Sequence, residues 1–196
     1  MEYFTLILLC TIITCSSPNQ LKKTTQYISK NNITTSIIIE NLKGDKRYII
    51  NKKQAATYFL PASTFKILNT LIALEYGAIK DEKKIIKWDG TKHQFSVWNK
   101  DQNIETAFPV SCVWFYQSLA RKIGNKKYLN TFKKLKYGNI KTGPQVDTFW
   151  LNGDLRVTSH DQIKMLKMIY LQKYPFKKKN YGILKEIMIV EKTLNM

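Results

Sequence analysis

Hydrophobic and polar positions fall into blocks along this chain, and the period of the pattern changes from block to block. Residues 3–13 form a continuous apolar run, shorter than a membrane span requires. The small polar residues Thr14, Cys15, Ser16 and Ser17 follow, so residues 1–17 read as an export signal. Residues 18–32 are polar and rich in Asn and Lys, which predicts a connector or a short amphipathic helix. The β-branched stretch Thr34-Thr35-Ser36-Ile37-Ile38-Ile39-Glu40 predicts a strand, residues 41–45 a turn containing Gly44, and residues 47–51 its hairpin partner. The period then lengthens. Phe65, Leu68 and Ile72 recur at helical steps behind Pro61, which suits a helix's first turn, and Gly77 supplies a stop. Residues 81–109 keep no period and predict a long structured loop containing Trp88-Asp89-Gly90 and Trp98-Asn99. Three- and four-residue steps return at 112–123, 126–135 and 159–173, predicting three more helices. Tyr137-Gly138-Asn139 and Thr142-Gly143-Pro144 are turn material. A hairpin followed by a helical block is an α+β layout.

Composition changes this picture little. The chain has 196 residues, enough for one domain with a real core. Its 32 Lys and Arg against 14 Asp and Glu raise the question of an anionic partner. Arg occurs only at 47, 121 and 156, whereas readers of nucleic acid favour arginine for bidentate base contacts. The lysines are scattered in pairs, with one trio at Lys177-Lys178-Lys179, so no nucleic-acid partner is expected. Cys10 and Cys15 fall in the leader, which leaves Cys112 without a disulfide partner in the remaining chain. The two histidines, His93 and His160, are too few and too far apart to argue for a metal site.

The candidate chemistry lies at Leu60-Pro61-Ala62-Ser63-Thr64-Phe65-Lys66. Ser63 falls at the positive end of a helix dipole, and Lys66 follows at i+3 on the same face, within reach of the hydroxyl. A serine alcohol becomes a nucleophile only when a base takes its proton, and a lysine can serve only if neutral or modified. Phe65 and Leu68 give Lys66 an apolar setting, which favours the neutral amine. Alone, such a spacing also describes a serine near a helix start and an exposed lysine. Ser111-Cys112-Val113, Tyr137-Gly138-Asn139 and Phe149-Trp150-Leu151 are likewise an N-cap, a turn and core when taken singly.

Taken together and in this order, they resemble the class D (OXA-type) serine β-lactamases, among the penicillin-recognising enzymes. The family's Ser-x-x-Lys is matched by Ser63-Thr64-Phe65-Lys66, its Ser-x-Val by Ser111-Cys112-Val113, its Tyr-Gly-Asn by Tyr137-Gly138-Asn139 and its Phe-Trp-Leu by Phe149-Trp150-Leu151. The resemblance implies a domain over 33–196 with the serine β-lactamase/transpeptidase-like fold, and β-lactam antibiotics as small-molecule substrates. It implies Ser63 as the acylated nucleophile and a CO2-derived carbamate on Lys66 as the general base, with no cofactor or metal. It implies that Ser111 relays a proton, that Val113 and Leu151 keep the pocket dry, and that the Trp150 indole N–H donates to the carbamate. One N–H of the oxyanion hole would be that of Ser63.

The family's later Lys-Thr-Gly strand falls beyond Met196. Lys141-Thr142-Gly143 spells the motif where the family has a loop, and Lys192-Thr193 is followed by Leu194. The expectation is thus a class D domain whose C-terminal strands are missing, with a hairpin left marginal by itself. The other readings are a penicillin-binding sensor that acylates without turnover, and an inactive remnant. Export implies a periplasmic or cell-envelope location, with membrane contact only through the leader or a lipid on Cys15.

Overall fold

The computed structural model describes residues 18–189. The expected leader at 1–17, with Cys10 and Cys15, and the Lys192-Thr193 pair lie outside the described residues. The chain begins with α1 (Pro18–Lys30), the helical alternative for the polar connector. An antiparallel hairpin follows, β1 (Ile37–Glu40) and β2 (Arg47–Ile50), with Ile37 opposite Ile50 and Glu40 opposite Arg47. Asn41 closes its turn: the side-chain oxygen accepts the N–H groups of Gly44 at 2.8 Å and Lys46 at 3.2 Å. Pairing stops at Ile50 because Asn51 turns into the left-handed region and caps the short helix α2 (Lys52–Ala55), accepting the Gln54 N–H. With no partner beyond Ile50, residues 34–36 remain outside the ladder.

Among the described residues the hairpin is the only sheet, and a helix covers it. That helix is α7 (Ser159–Tyr170), started by a capping box in which Thr158 and Asp161 exchange side-chain and backbone bonds. Glu40 is held between Arg47 at 2.9 Å and Lys167 of α7 at 2.8 Å. The hydroxyls of Ser36 and Ser159 share a hydrogen bond of 3.0 Å. The hairpin therefore rests on α7 and does not stand alone.

The centre of the molecule is α3 (Phe65–Glu75), where nine of eleven residues are buried. A helix apolar nearly all round must be surrounded, and α5 (Val113–Ile123), α6 (Asn125–Leu135) and α8 (Lys178–Met188) supply the cover. Phe65 is the hub of the aromatic core, with its ring 5.3 Å from Phe149, 5.6 Å from Trp150 and 5.8 Å from Phe132. Gly77, at φ +68°, ends the helix as expected. The start differs from the expected one. Ala62 takes φ +46° and its N–H donates to the Trp150 carbonyl at 2.9 Å. The α-helix begins only at Phe65, so Ser63 sits in a 3-10 turn at Ala62–Thr64, ahead of α3.

The 81–109 loop carries a 3-10 turn at Ser96–Trp98 and the four-residue α4 (Ile104–Ala107). Helix α8 had no counterpart in the sequence reading, because the lysine trio and Gly182 masked its buried stripe of Asn180, Tyr181 and Leu184. Its N-terminus is tied to the end of α3 by Glu75, which accepts the Lys177 N–H at 2.9 Å and the Asn180 amide at 2.8 Å. A carboxylate at a helix N-terminus is favourably placed against the dipole. Helix α7 stops at Tyr170, before the expected 173, where Gln172 takes φ +51°. Among the described residues no helix is long and apolar enough to cross a membrane.

Candidate active site

The turn that carries Ser63 is held by backbone pairing on its N-terminal side. Phe59 and Val157 exchange two hydrogen bonds of 2.9 and 2.8 Å, and Ala62, next to the serine, donates its N–H to Trp150 O. The Val157 segment is fixed in turn by Tyr137-Gly138-Asn139. Asn139 donates its main-chain N–H to Arg156 O at 2.9 Å and its side-chain amide to Asp154 O at 2.8 Å. Its side-chain oxygen accepts the Arg156 N–H at 2.9 Å. Gly138, at φ +54°, has no room for a side chain: a Cβ there would lie 2.4 Å from Arg156 O. The buried Tyr137 donates to Gln162 of α7 at 3.3 Å, and Gln162 donates to the Thr64 hydroxyl beside the serine. Tyr-Gly-Asn thus acts here as a structural fastening for the serine turn.

Ser63 is exposed and Lys66 is half-buried. The Lys66 ammonium donates to Ser111 Oγ at 2.7 Å and to Phe108 O at 2.9 Å, and lies 4.6 Å from the centre of the Phe108 ring. Its hydrogen bonds therefore run to the 108–111 loop. Burial lowers the pKa of Lys66 from its ordinary value of 10.5, and no carboxylate beside it opposes the shift.

The loop that presents Ser111 is braced by tryptophans. Trp98 Nε1 donates to Val110 O at 3.0 Å, and Trp114 Nε1 donates to Trp98 O at 2.7 Å. Ser111 itself takes φ +50°, a strained backbone for a serine that costs about 1–3 kcal/mol. Both Ala62 and Ser111, one on each wall of the site, hold this left-handed conformation. Cys112 beside it is fully buried and its thiol is pushed up to about 11 by burial, so it stays protonated and unreactive.

One cleft is lined by Ser63, Lys66, Ser111, Val113, Trp150 and Leu151, so the structure brings all six sequence-predicted site residues together. Three lining residues carry no role in the sequence reading: Ala62, which is part of the candidate stretch, and Asn69 and Tyr116. The free volume for a water-sized sphere is about 10 Å³, the size of a one-water cavity. A larger hollow of about 410 Å³ lies elsewhere, between Gly77 and Lys122, lined by Ile79, Ile85, Ile86 and lysines. It contains no activated nucleophile, so its size does not make it the reactive site. Lys141-Thr142-Gly143 lies in the loop after α6, and its glycine carbonyl accepts from Asn125 at 3.4 Å. Among the described residues no group of three or more His, Cys, Asp or Glu is placed to hold a metal ion.

A serine on a tight turn before a buried helix, sharing a cleft with a lysine of lowered pKa that is hydrogen-bonded to a second serine, is the arrangement that serine acyl transfer uses. Comparisons with known proteins narrow that class. The family described as "Penicillin binding protein transpeptidase domain" matches residues 17–195. β-Lactamase OXA-20 from Pseudomonas aeruginosa is 37% identical over 168 residues, covering 85% of this chain and 63% of the relative. OXA-5, also from Pseudomonas aeruginosa, is 44% identical over 146 residues, covering 73% of this chain and 54% of the relative. The structure of FUS-1 (OXA-85), a class D β-lactamase from Fusobacterium nucleatum, superposes with a TM-score of 0.83 at 36% identity, over 88% of this chain and 72% of that one. The class D β-lactamase YbXI from Nostoc gives 0.80 at 42% identity, over 85% and 70%. The chain belongs to the penicillin-binding-protein transpeptidase domain family, in its class D β-lactamase branch. It spans between about half and just under two thirds of the length of these curated relatives.

Proposed function

We propose that this domain is acylated by β-lactams at Ser63 and serves their hydrolysis, giving resistance to them. The observation that carries the reading is the Lys66–Ser111 hydrogen bond of 2.7 Å in a cleft shared with Ser63. Ser63 Oγ attacks the lactam carbonyl carbon, the ring C–N bond breaks, and Ser111 is placed to pass a proton to the departing nitrogen. The Ser63 N–H, at a helix start where donors lack intrahelical partners, is available to the oxyanion. Water then cleaves the Ser63 ester and releases the opened product. Val113, Leu151 and Trp150 line the cleft and limit the space for bulk water.

A carbamate on Lys66, formed from the neutral amine and CO2, would supply the general base for both halves. The residues present fit such a group. Two residues that line the cleft with Lys66 carry side-chain N–H donors: Asn69, whose buried Nδ2 has no hydrogen-bond partner among the described residues, and Trp150 with its indole N–H. Both would suit the two oxygens of an anion. The domain is read as residues 33–196 behind a connector at 18–32 and an export leader at 1–17, which places it in the periplasm or cell envelope.

Intact-mass spectrometry after brief exposure to benzylpenicillin tests the reading, with Ser63→Ala alongside. A penicilloyl adduct on the parent chain only, decaying with time, is the expected result. An adduct that persists would make the chain a sensor, and the absence of any adduct on folded protein would overturn the acylation reading.

A further inference from the structure

The geometry points to Asn69 as a positioning residue that holds the base of this site by donating its side-chain N–H2 to the carbamate on Lys66. The inference rests on the carbamate reading above and adds to it a residue of this chain. Asn69 stands one turn beyond Lys66 in α3 and lines the same cleft. It is fully buried, a single amide in the run Ile67-Leu68-Asn69-Thr70-Leu71-Ile72, where an apolar side chain would pack at no polar cost. Its orientation is set by Tyr128, whose hydroxyl donates to Asn69 Oδ1 at 2.5 Å. That separation suits O–H···O and is short for N–H···O, so the oxygen faces Tyr128 and the nitrogen is turned the other way. Tyr128 is itself buried, and burial pushes its pKa well above the ordinary tyrosine value, so the hydroxyl keeps its proton and stays a donor.

Asn69 Nδ2 is then a buried donor with no partner among the described residues. A donor left unmade in a core is expensive, and this one belongs to a residue that lines the cleft of Lys66. The nearby cation offers it nothing, because Lys66 presents protons of its own and spends them on Ser111 and Phe108. An acceptor added at Lys66 resolves the mismatch. The addition is balanced: the neutral amine attacks the carbon of CO2, an N–C bond forms, and one amine proton leaves to solvent, giving two anionic acceptor oxygens. Trp150 lines the cleft from the 149–151 turn and Asn69 from α3, so two donor-bearing residues reach it from different elements.

The test is titration of the full chain with 13C-bicarbonate, following the carbamate carbon by NMR, for the parent and for Asn69→Leu, with Lys66→Ala as the blank. The expected result is a Lys66-dependent signal that needs about tenfold more bicarbonate in Asn69→Leu, matching the loss of one hydrogen bond to a charged group. High bicarbonate should also restore the acylation rate of the variant. An unchanged bicarbonate midpoint in folded Asn69→Leu would overturn the inference and leave the carbamate reading intact. A parent chain with no signal would overturn both. Should Asn69→Leu fail to fold, the parent chain still decides: 15N spectra must show one asparagine side-chain NH2 pair shifting with bicarbonate in step with the carbamate signal. No shifted pair would count against Asn69.

Discussion

Gly138→Ala is the sharpest test of the claim that Tyr-Gly-Asn fastens the serine turn and takes no part in the chemistry. The new Cβ meets two costs. A non-glycine residue at φ +54° is strained by about 1–2 kcal/mol. The Cβ would also lie 2.4 Å from Arg156 O and 3.0 Å from Val157 Cγ1, so the 154–157 strip must move. That strip holds three hydrogen bonds to Asn139, of 2.8 to 2.9 Å. Each is worth about 1 kcal/mol, and a shift that lengthens them forfeits about half. The sum is about 3 kcal/mol, a large part of the stability of an ordinary domain. Urea unfolding at constant slope should show the lower midpoint. Asn139→Ala, which removes two of the three bonds without the clash, should lose about 1–2 kcal/mol. Because Val157 pairs with Phe59, acylation of the folded fraction should slow in both variants. A Gly138→Ala midpoint within about 0.5 kcal/mol of the parent, the range of an ordinary surface change, would refute the fastening. Parent-like stability with abolished acylation would move the motif into the chemistry.

Two further predictions concern charge. Glu40→Gln should cost about 1–2 kcal/mol by urea unfolding near neutral pH, because its carboxylate is 13% exposed and grips both Arg47 and Lys167. The bond from Lys167 leads the causes that hold Glu40 below the usual carboxylate value. Its contribution is thus full above the unfolded pKa of 4.5 and fades as pH falls through the folded one, so the variant and parent curves should converge in acid. Lys66→Met should stabilise the unmodified domain at neutral pH, because burial lowers the lysine's folded pKa below the unfolded 10.5. Between those two values the unfolded chain binds a proton the native one has shed, so the parent's stability rises with pH and the gap to Lys66→Met should close. A gap that widens with pH would contradict the burial of that amine.

Local patterns made the elements readable, and distance in sequence hid what holds them. The hairpin, α3 and the helices near 112–123, 126–135 and 159–173 follow from periods confined to about a dozen residues. Ser63 and Lys66 were readable as a pair for the same reason: they lie three positions apart across the turn that opens α3, and both line the cleft although the helix itself starts only at Phe65. The partner of Lys66 was not, since Ser111 and Phe108 come from a loop more than forty positions later that two indoles hold in place. Helix α8 was lost because a lysine trio and Gly182 overlie its buried stripe, and its anchor Glu75 is a hundred residues away. Asn69 left a legible trace, one amide inside an apolar run, but its meaning needed the Tyr128 hydroxyl that fixes which end of it faces the cleft.

The motifs of this chain divide into two kinds. Ser63, Lys66 and Ser111 line the cleft, whereas Asn139 bonds backbone atoms of 154–156 and Gly138 makes room for Arg156 O. Between them run two links, Val157 to Phe59 and Gln162 to Thr64, and both end within four residues of Ser63. The strain at Ala62 and Ser111 is sustainable only while those links and the tryptophan braces over-determine the two walls. Loosening a fastening should therefore relax one wall before the core of α3 yields, since Phe65 also packs against Phe132 and Phe149, which make none of those links. Weakened fastening variants should lose acylation at urea concentrations where the helical core is still folded, and the parent should lose both together.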